Sequence, residues 1–271
     1  MPEITPRTPG ALLLLGIVLL YAILLLTTPL VALVQGALTK GFEPIVTALL
    51  DPDVIHAFQI TLTLTVGAVI ITTGFGLTVA WVLVRHEFPG KRVIDAFVDA
   101  PFVISPVIAG FVLIALFGRG GWFASDAIKI VFTWPGMLLG TVFVCLPFVI
   151  REVQPVLQGL TKDQEEAAFT LGSSRLMTFW RIVMPQISHG LLYGTVLTVA
   201  RSLGEFGAVA VAGGAIERET ESATVYVFRA LLDRNQVGAY SVSIVLCLFS
   251  VIILTVMGLL RRQQAKPPLE E

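Results

Sequence analysis

Long apolar runs, each about the length of a membrane crossing and separated by short polar segments, set the pattern of this 271-residue chain. The hydrocarbon core of a bilayer takes about 20 apolar residues in helical form. Six stretches reach that length: Ala11 to Val34, Gln59 to Val84, Ala96 to Phe117, Ile130 to Ile150, Leu191 to Gly213 and Ser241 to Leu260. The first, second and sixth carry no charge. The third holds Asp99 with Pro101 and Pro106, the fourth Pro135 and Pro147, and the fifth Arg201 and Glu205. Prolines and charges persist at membrane depth where protein or a wet cavity satisfies the groups they free, so these three are expected to face protein or a pathway rather than lipid. The first stretch outruns the roughly 7–15 residues of a signal-peptide core and reads as a span. The pattern predicts an all-α, polytopic membrane helical bundle of about six transmembrane helices. It forms a single domain over residues 1–271, with an N-terminal span at about 11–34 and a frayed tail at 263–271.

Composition agrees. Hydrophobic residues make up 55% and charged residues 14% of the chain, which excludes an ordinary soluble domain. The formal charge of −1 offers no basic face for nucleic acid. Cys145 and Cys247 both lie in apolar runs, where a free cysteine behaves as a small hydrophobe, and no metal-ligand spacing is present.

Basic residues orient the bundle. Arg7, Arg85, Lys91, Arg92, Arg151, Lys162, Arg175, Arg181, Arg261, Arg262 and Lys266 place eleven on one side, against six on the other: Lys40, Arg119, Lys129, Arg218, Arg229 and Arg234. By the positive-inside rule the first side is cytoplasmic and both termini lie there. The outer segments carry eight acids, including Asp126 and Glu221, against those six bases, so no electropositive funnel for an anion is written in them.

The longest cytoplasmic segment, Arg151 to Gly190, is the most informative. Asp163, Glu165 and Glu166 suit a first helical turn, Ala167 and Ala168 favour helix and close approach, and Gly172 can cap it. Ser173 or Ser174 can then open a second helix, with Leu176, Phe179, Trp180 and Val183 on one apolar stripe and Pro185 as its stop. Two readings fit: a loop packed on its own bundle, or a docking site for a cytosolic partner.

The spacing Glu166-Ala167-Ala168, Gly172, Ile182, Met184-Pro185 resembles the EAA signature (EAA-x3-G-x9-I-x-L-P) of ABC importer permeases, with Met184 in place of Leu. Further likeness lies in Glu87-Phe-Pro-Gly-Lys91, Ala100-Pro-Phe-Val-Ile-Ser-Pro-Val-Ile-Ala-Gly110, Gly121-Trp-Phe, Phe148-Val-Ile-Arg-Glu152 and Ala200-Arg-Ser-Leu-Gly-Glu-Phe-Gly-Ala208. These are similar to the sulfate/molybdate branch, and the N-terminal span to its sulfate type. The resemblance implies a type I importer permease in the cytoplasmic (inner) membrane, most consistent with sulfate or thiosulfate, with molybdate or tungstate the alternative. It implies that the loop over about 161–185 couples the chain to an ATPase. The implied partners are a second, non-identical permease, two ATP-binding subunits and an extracytoplasmic binding protein. No cofactor is expected on this chain, ATP and Mg being used by the ATPase.

Enzyme constellations are missing. Gly90-Lys91 lacks the rest of a P-loop, His86-Glu87 runs into Phe88-Pro89 rather than a zinc motif, and Gly172-Ser-Ser-Arg lacks the closing glycine of a nucleophile elbow. Asp95 and Asp99, one turn apart, are expected to cap or to pair with Lys91 or Arg92. An ion-coupled secondary transporter would need intramembrane carboxylates in both halves, and Glu205 stands alone. Arg201 and Glu205, four apart, share a helix face. They are either a self-neutralising pair or part of an anion path. The Gly190-x3-Gly194 spacing is the kind that lets two helices approach closely.

Overall fold

The computed structural model describes residues 9–39, 41–124, 129–161 and 163–264. Arg7, Lys40, Asp126, Lys162, Lys266 and the tail from 265 onward lie outside them; Gln263 and Gln264 close the last helix.

Among the described residues the chain is helical, without strands. Five helices are long and apolar enough to cross a membrane: α1 (Pro9–Leu38), α3 (Pro52–Arg85), α7 (Trp134–Gly159), α10 (Met184–Leu203, continuous with the turns from Arg175) and α13 (Gln236–Gln264). Between α1 and α3 lies the short α2 (Glu43–Leu49). α3 begins on Asp51, whose side chain accepts the Asp53 N–H at 2.9 Å, with Pro52 in the first turn, where its missing N–H costs nothing. At 34 residues it is about 51 Å long, well beyond a hydrocarbon core of about 30 Å, so its Arg85 end reaches the loop over 160–185.

The third expected span is not one helix. It divides into α4 (Lys91–Val98), α5 (Ala100–Val103) and α6 (Pro106–Phe117), bent by 113° at the break. Pro106 drives the preceding residue out of the helical region, and Ile104 and Ser105 are extended, with ψ of 124° and 137°. The fifth span is also interrupted. It starts at Met184 instead of Leu191, ends at Leu203, and resumes as α11 (Gly207–Gly213) after Gly204, Glu205 and Phe206. The fourth starts at Trp134 and continues past Ile150 to Gly159, carrying Pro147 and Pro155 within it. A further helix that was not foreseen, α12 (Ala223–Leu232), packs on α13 and α3.

α3, α7 and α10 form the centre of the bundle. Ala80, Leu83, Val149, Ile150, Val153, Leu157, Val183 and Ile187 share one buried cluster. Backbone proximity here depends on small residues. A Cβ on Gly194 would stand 2.7 Å from Val149 Cα, and one on Gly190 2.7 Å from the Glu152 carbonyl, so the Gly190–Gly194 contact is real. Cys145 is buried, Cys247 is half-buried, and both are free. α1 touches mainly α13 and is otherwise exposed.

Gly194→Ala is therefore expected to cost about 1–3 kcal/mol through overpacking, read as a lowered melting midpoint in detergent. Gly74→Ala, with nothing within 4 Å of the added carbon, should leave the midpoint unchanged or raise it.

Candidate functional site

The loop after α7 folds as α8 (Asp163–Thr170), a turn at Gly172, α9 (Arg175–Thr178) and a π-helical turn over Phe179–Val183 that runs into α10. Gly172 has φ of +82° and closes α8 as a Schellman cap: its N–H donates to the Phe169 carbonyl, and the Ser173 N–H to the Ala168 carbonyl, both at 3.0 Å. Ser174 Oγ accepts the Met177 N–H at 3.3 Å and opens α9.

Two expectations need correction here. Pro185 does not stop the helix. The Met184 N–H reaches back five residues to Phe179 O, and this widened turn seats Pro185 in the first turn of α10. Nor do Leu176, Phe179, Trp180 and Val183 form one stripe. The extra residue in the turn rotates the register, so Val183 is buried while Leu176 and Trp180 are 70% and 57% exposed.

One side chain that the sequence did not single out fastens this loop. Arg85, at the end of α3, pairs with Glu165 of α8, donates to the Leu160 carbonyl at 3.2 Å and lies over the Trp81 ring. Trp81 in turn meets Phe179 edge-on at 5.4 Å. From the other side Gln186 Nε2 donates to Gln164 Oε1 at 2.6 Å. α8 is thus tied to α3 and to α10. The remaining motif residues lie outward or partway in: Glu166, Ala167 and Pro185 are exposed, Ala168 and Ile182 half-buried. Phe169 and Leu171 add exposed apolar surface beside them.

Asp95 and Asp99 pair with Arg151 of α7, not with Lys91 or Arg92; Lys91 is held by Glu87. Arg151 donates to Asp99 through Nε and Nη2, to Asp95 through Nη1 and Nη2, and to Gln154 through Nη1, so all five N–H groups are used. Tertiary proximity won over sequence neighbourhood, because a planar fork satisfies both carboxylates at once.

Arg201 and Glu205 do come together. Arg201 Nη1 lies 2.7 Å from Glu205 Oε2, off the line of a hydrogen bond, while Glu205 Oε1 accepts the Ala208 N–H at 2.9 Å. At the opposite end of the bundle Arg229 forks onto Glu221 at 2.6 and 2.9 Å and meets Glu217 at 3.0 Å. Those hydrogen bonds push the Arg229 pKa still higher, so it stays charged. Arg85 and Arg151 were open to detection only as basic residues at span ends, since no spacing rule links them to partners some 50–80 residues away.

A membrane bundle with two interrupted spans and an exposed, firmly held helical loop at one end is built as a transport permease. The chain belongs to the family of binding-protein-dependent transport system inner membrane components, whose model matches residues 72–266. It is 43% identical over 255 residues to the sulfate transport system permease protein CysW of Synechocystis, covering 93% of this chain and 92% of the relative. It is 38% identical over 250 residues to the sulfate transport system permease protein CysT of Escherichia coli, covering 91% and 90%. In fold it is similar to a chain of a bacterial alginate ABC transporter in complex with an alginate pentasaccharide-bound periplasmic protein, with a TM-score of 0.75, 18% identity and 96% of each chain covered.

If Arg85 holds α8, Glu165→Arg alone should speed amide exchange across residues 163–170 by about tenfold or more, and adding Arg85→Glu should slow it again. Unchanged exchange in the single variant would show that the pair does not hold the helix.

Proposed function

We propose that this chain is the permease subunit of an ATP-driven importer for sulfate, with the loop over about 161–185 as its coupling element. The observation that carries the coupling role is a helix that is braced from within and bare on its outer side. Glu166, Ala167, Phe169 and Leu171 are exposed, and no other described residue covers them. Such a surface takes a partner from outside the membrane. The relatives named above as sulfate permeases support sulfate as the cargo.

In this reading the eleven-to-six excess of basic residues puts the loop and both termini in the cytoplasm. Two ATP-binding subunits engage the loop and the loop of a second permease, a non-identical relative, and an extracytoplasmic binding protein delivers the anion. Hydrolysis, with its ATP and Mg, belongs to the partner; this chain is non-catalytic. Closure of the ATPase pair displaces α8. The Arg85–Glu165 and Gln186–Gln164 contacts pass that displacement to α3 and α10 together. α10 leads through Glu205 into α11, which packs on α6, so the two interrupted spans shift as the loop shifts and access alternates.

The full complex in a host lacking its own sulfate importers should take up labelled sulfate. Uptake of molybdate or tungstate that excess sulfate fails to compete would contradict the cargo. Glu166→Lys reverses charge in a first turn. Gly172→Pro removes the N–H given to Phe169 and forbids φ of +82°. Each should lower ATPase retention and substrate-stimulated hydrolysis together, by about tenfold for every ~1.4 kcal/mol of docking lost. Normal hydrolysis and uptake in both would remove the loop from the mechanism.

A further inference from the structure

The arginines of this chain are not used alike. Arg151 spends all five N–H groups on protein acceptors, and Arg229 is forked onto a buried carboxylate. Arg201 has one ion pair among the described residues, the out-of-line approach of Nη1 to Glu205 Oε2. Its Nε and Nη2 donate to nothing there, and a third of the side chain is open while Glu205 is 1% exposed. The carboxylate lies behind the guanidinium. The arginine is partly open where the carboxylate is not.

Its position matters as much as its donors. Arg201 stands 17 residues beyond Met184, about 26 Å along α10 and far from the basic residues of the loop end. It occupies the last turn, where free carbonyls favour a cation. One turn on, Gly204 is exposed and the span breaks. A Cβ on Gly207, just past that break, would lie 3.1 Å from Val107 N and 3.2 Å from Pro106 Cβ, so the interruptions of the third and fifth spans meet there. Irregular backbone at membrane depth is found where it is packed in protein or lines a cavity.

We propose that Arg201 holds the tetrahedral dianion in transit, two N–H groups on two of its oxygens, with Glu205 as the counter-charge that keeps the hold weak. A guanidinium fork fits such an oxyanion, and a site on a conduction path must bind well enough to admit the ion and loosely enough to release it. Glu205 supplies that limit while its other oxygen caps α11. The assignment rests on the anion-importer reading above and adds to it the residue that touches the cargo.

The test uses the full complex with its binding protein and labelled sulfate, with uptake expressed per assembled transporter. Arg201→Gln with Glu205→Gln strands no charge and keeps an acceptor for Ala208. It should lower uptake per assembled transporter by about tenfold or more, the loss of one charge-assisted contact. Uptake equal to the parent's would overturn the proposal and leave a structural brace. Arg201→His decides the matter independently of that variant's stability: its uptake should rise severalfold from pH 8 to pH 6 relative to the parent as the imidazole gains its charge. An unaltered pH profile would contradict the assignment. The parent in the same assay reads the sulfate cargo separately. The ratio of variant to parent, taken with whichever dianion the parent carries, decides Arg201.

Discussion

In hydrocarbon every backbone N–H and C=O must find its partner within the protein, and the rest of this structure follows from how that demand is met. Uninterrupted helices meet it locally, which is why α1 and α13 can remain largely exposed. The break at Gly204–Phe206 leaves that ladder, and side chains help to supply its partners. Glu205 Oε1 takes the Ala208 N–H, Thr224 Oγ1 donates to the Glu205 carbonyl at 2.6 Å, and the Glu205 N–H reaches Ser202 O at 3.2 Å. Small residues bring the broken segments close enough for this. A Cβ on Gly110 would lie 2.7 Å from Val211 Cβ, and one on Gly140 3.0 Å from Ala208 Cβ.

The same economy appears at the loop. α8 has no buried residue of its own and could not stay folded on propensity alone at eight residues. It is held by its glycine cap, by Arg85 through Glu165, and by Gln186 through Gln164. Because the holding groups sit on α3 and α10, two of the three helices at the centre of the bundle, a push on α8 is a push on that core.

Span number, helical class and the existence of the loop were legible because each depends on local pattern: runs of about 20 apolar residues, a glycine after two alanines, a serine before the next turn. The kinks were half legible. Pro106 and the Arg201–Glu205 pair marked the third and fifth stretches as unusual, but nothing local tells a kinked helix from one bent by 113°. The π-turn was invisible, since an extra residue in a helical turn leaves no change of composition, and it overturned both the Pro185 stop and the Leu176–Val183 stripe. The partners of Asp95 and Asp99 were misassigned and Arg85 was missed for a single reason: these pairs are set by helix packing, and charge arithmetic along the chain does not see across the bundle.

The outer face of α8 is proposed to be where the ATP-hydrolysing partner docks. A photo-cross-linking amino acid in place of Leu171, which is 88% exposed and lies just after the helix, tests it most directly. Irradiation of the assembled complex in its native membrane should join this chain to the ATP-binding subunit, with a yield that changes when ATP is bound. Cross-links to lipid alone, or to a partner on the opposite side of the membrane, would contradict it.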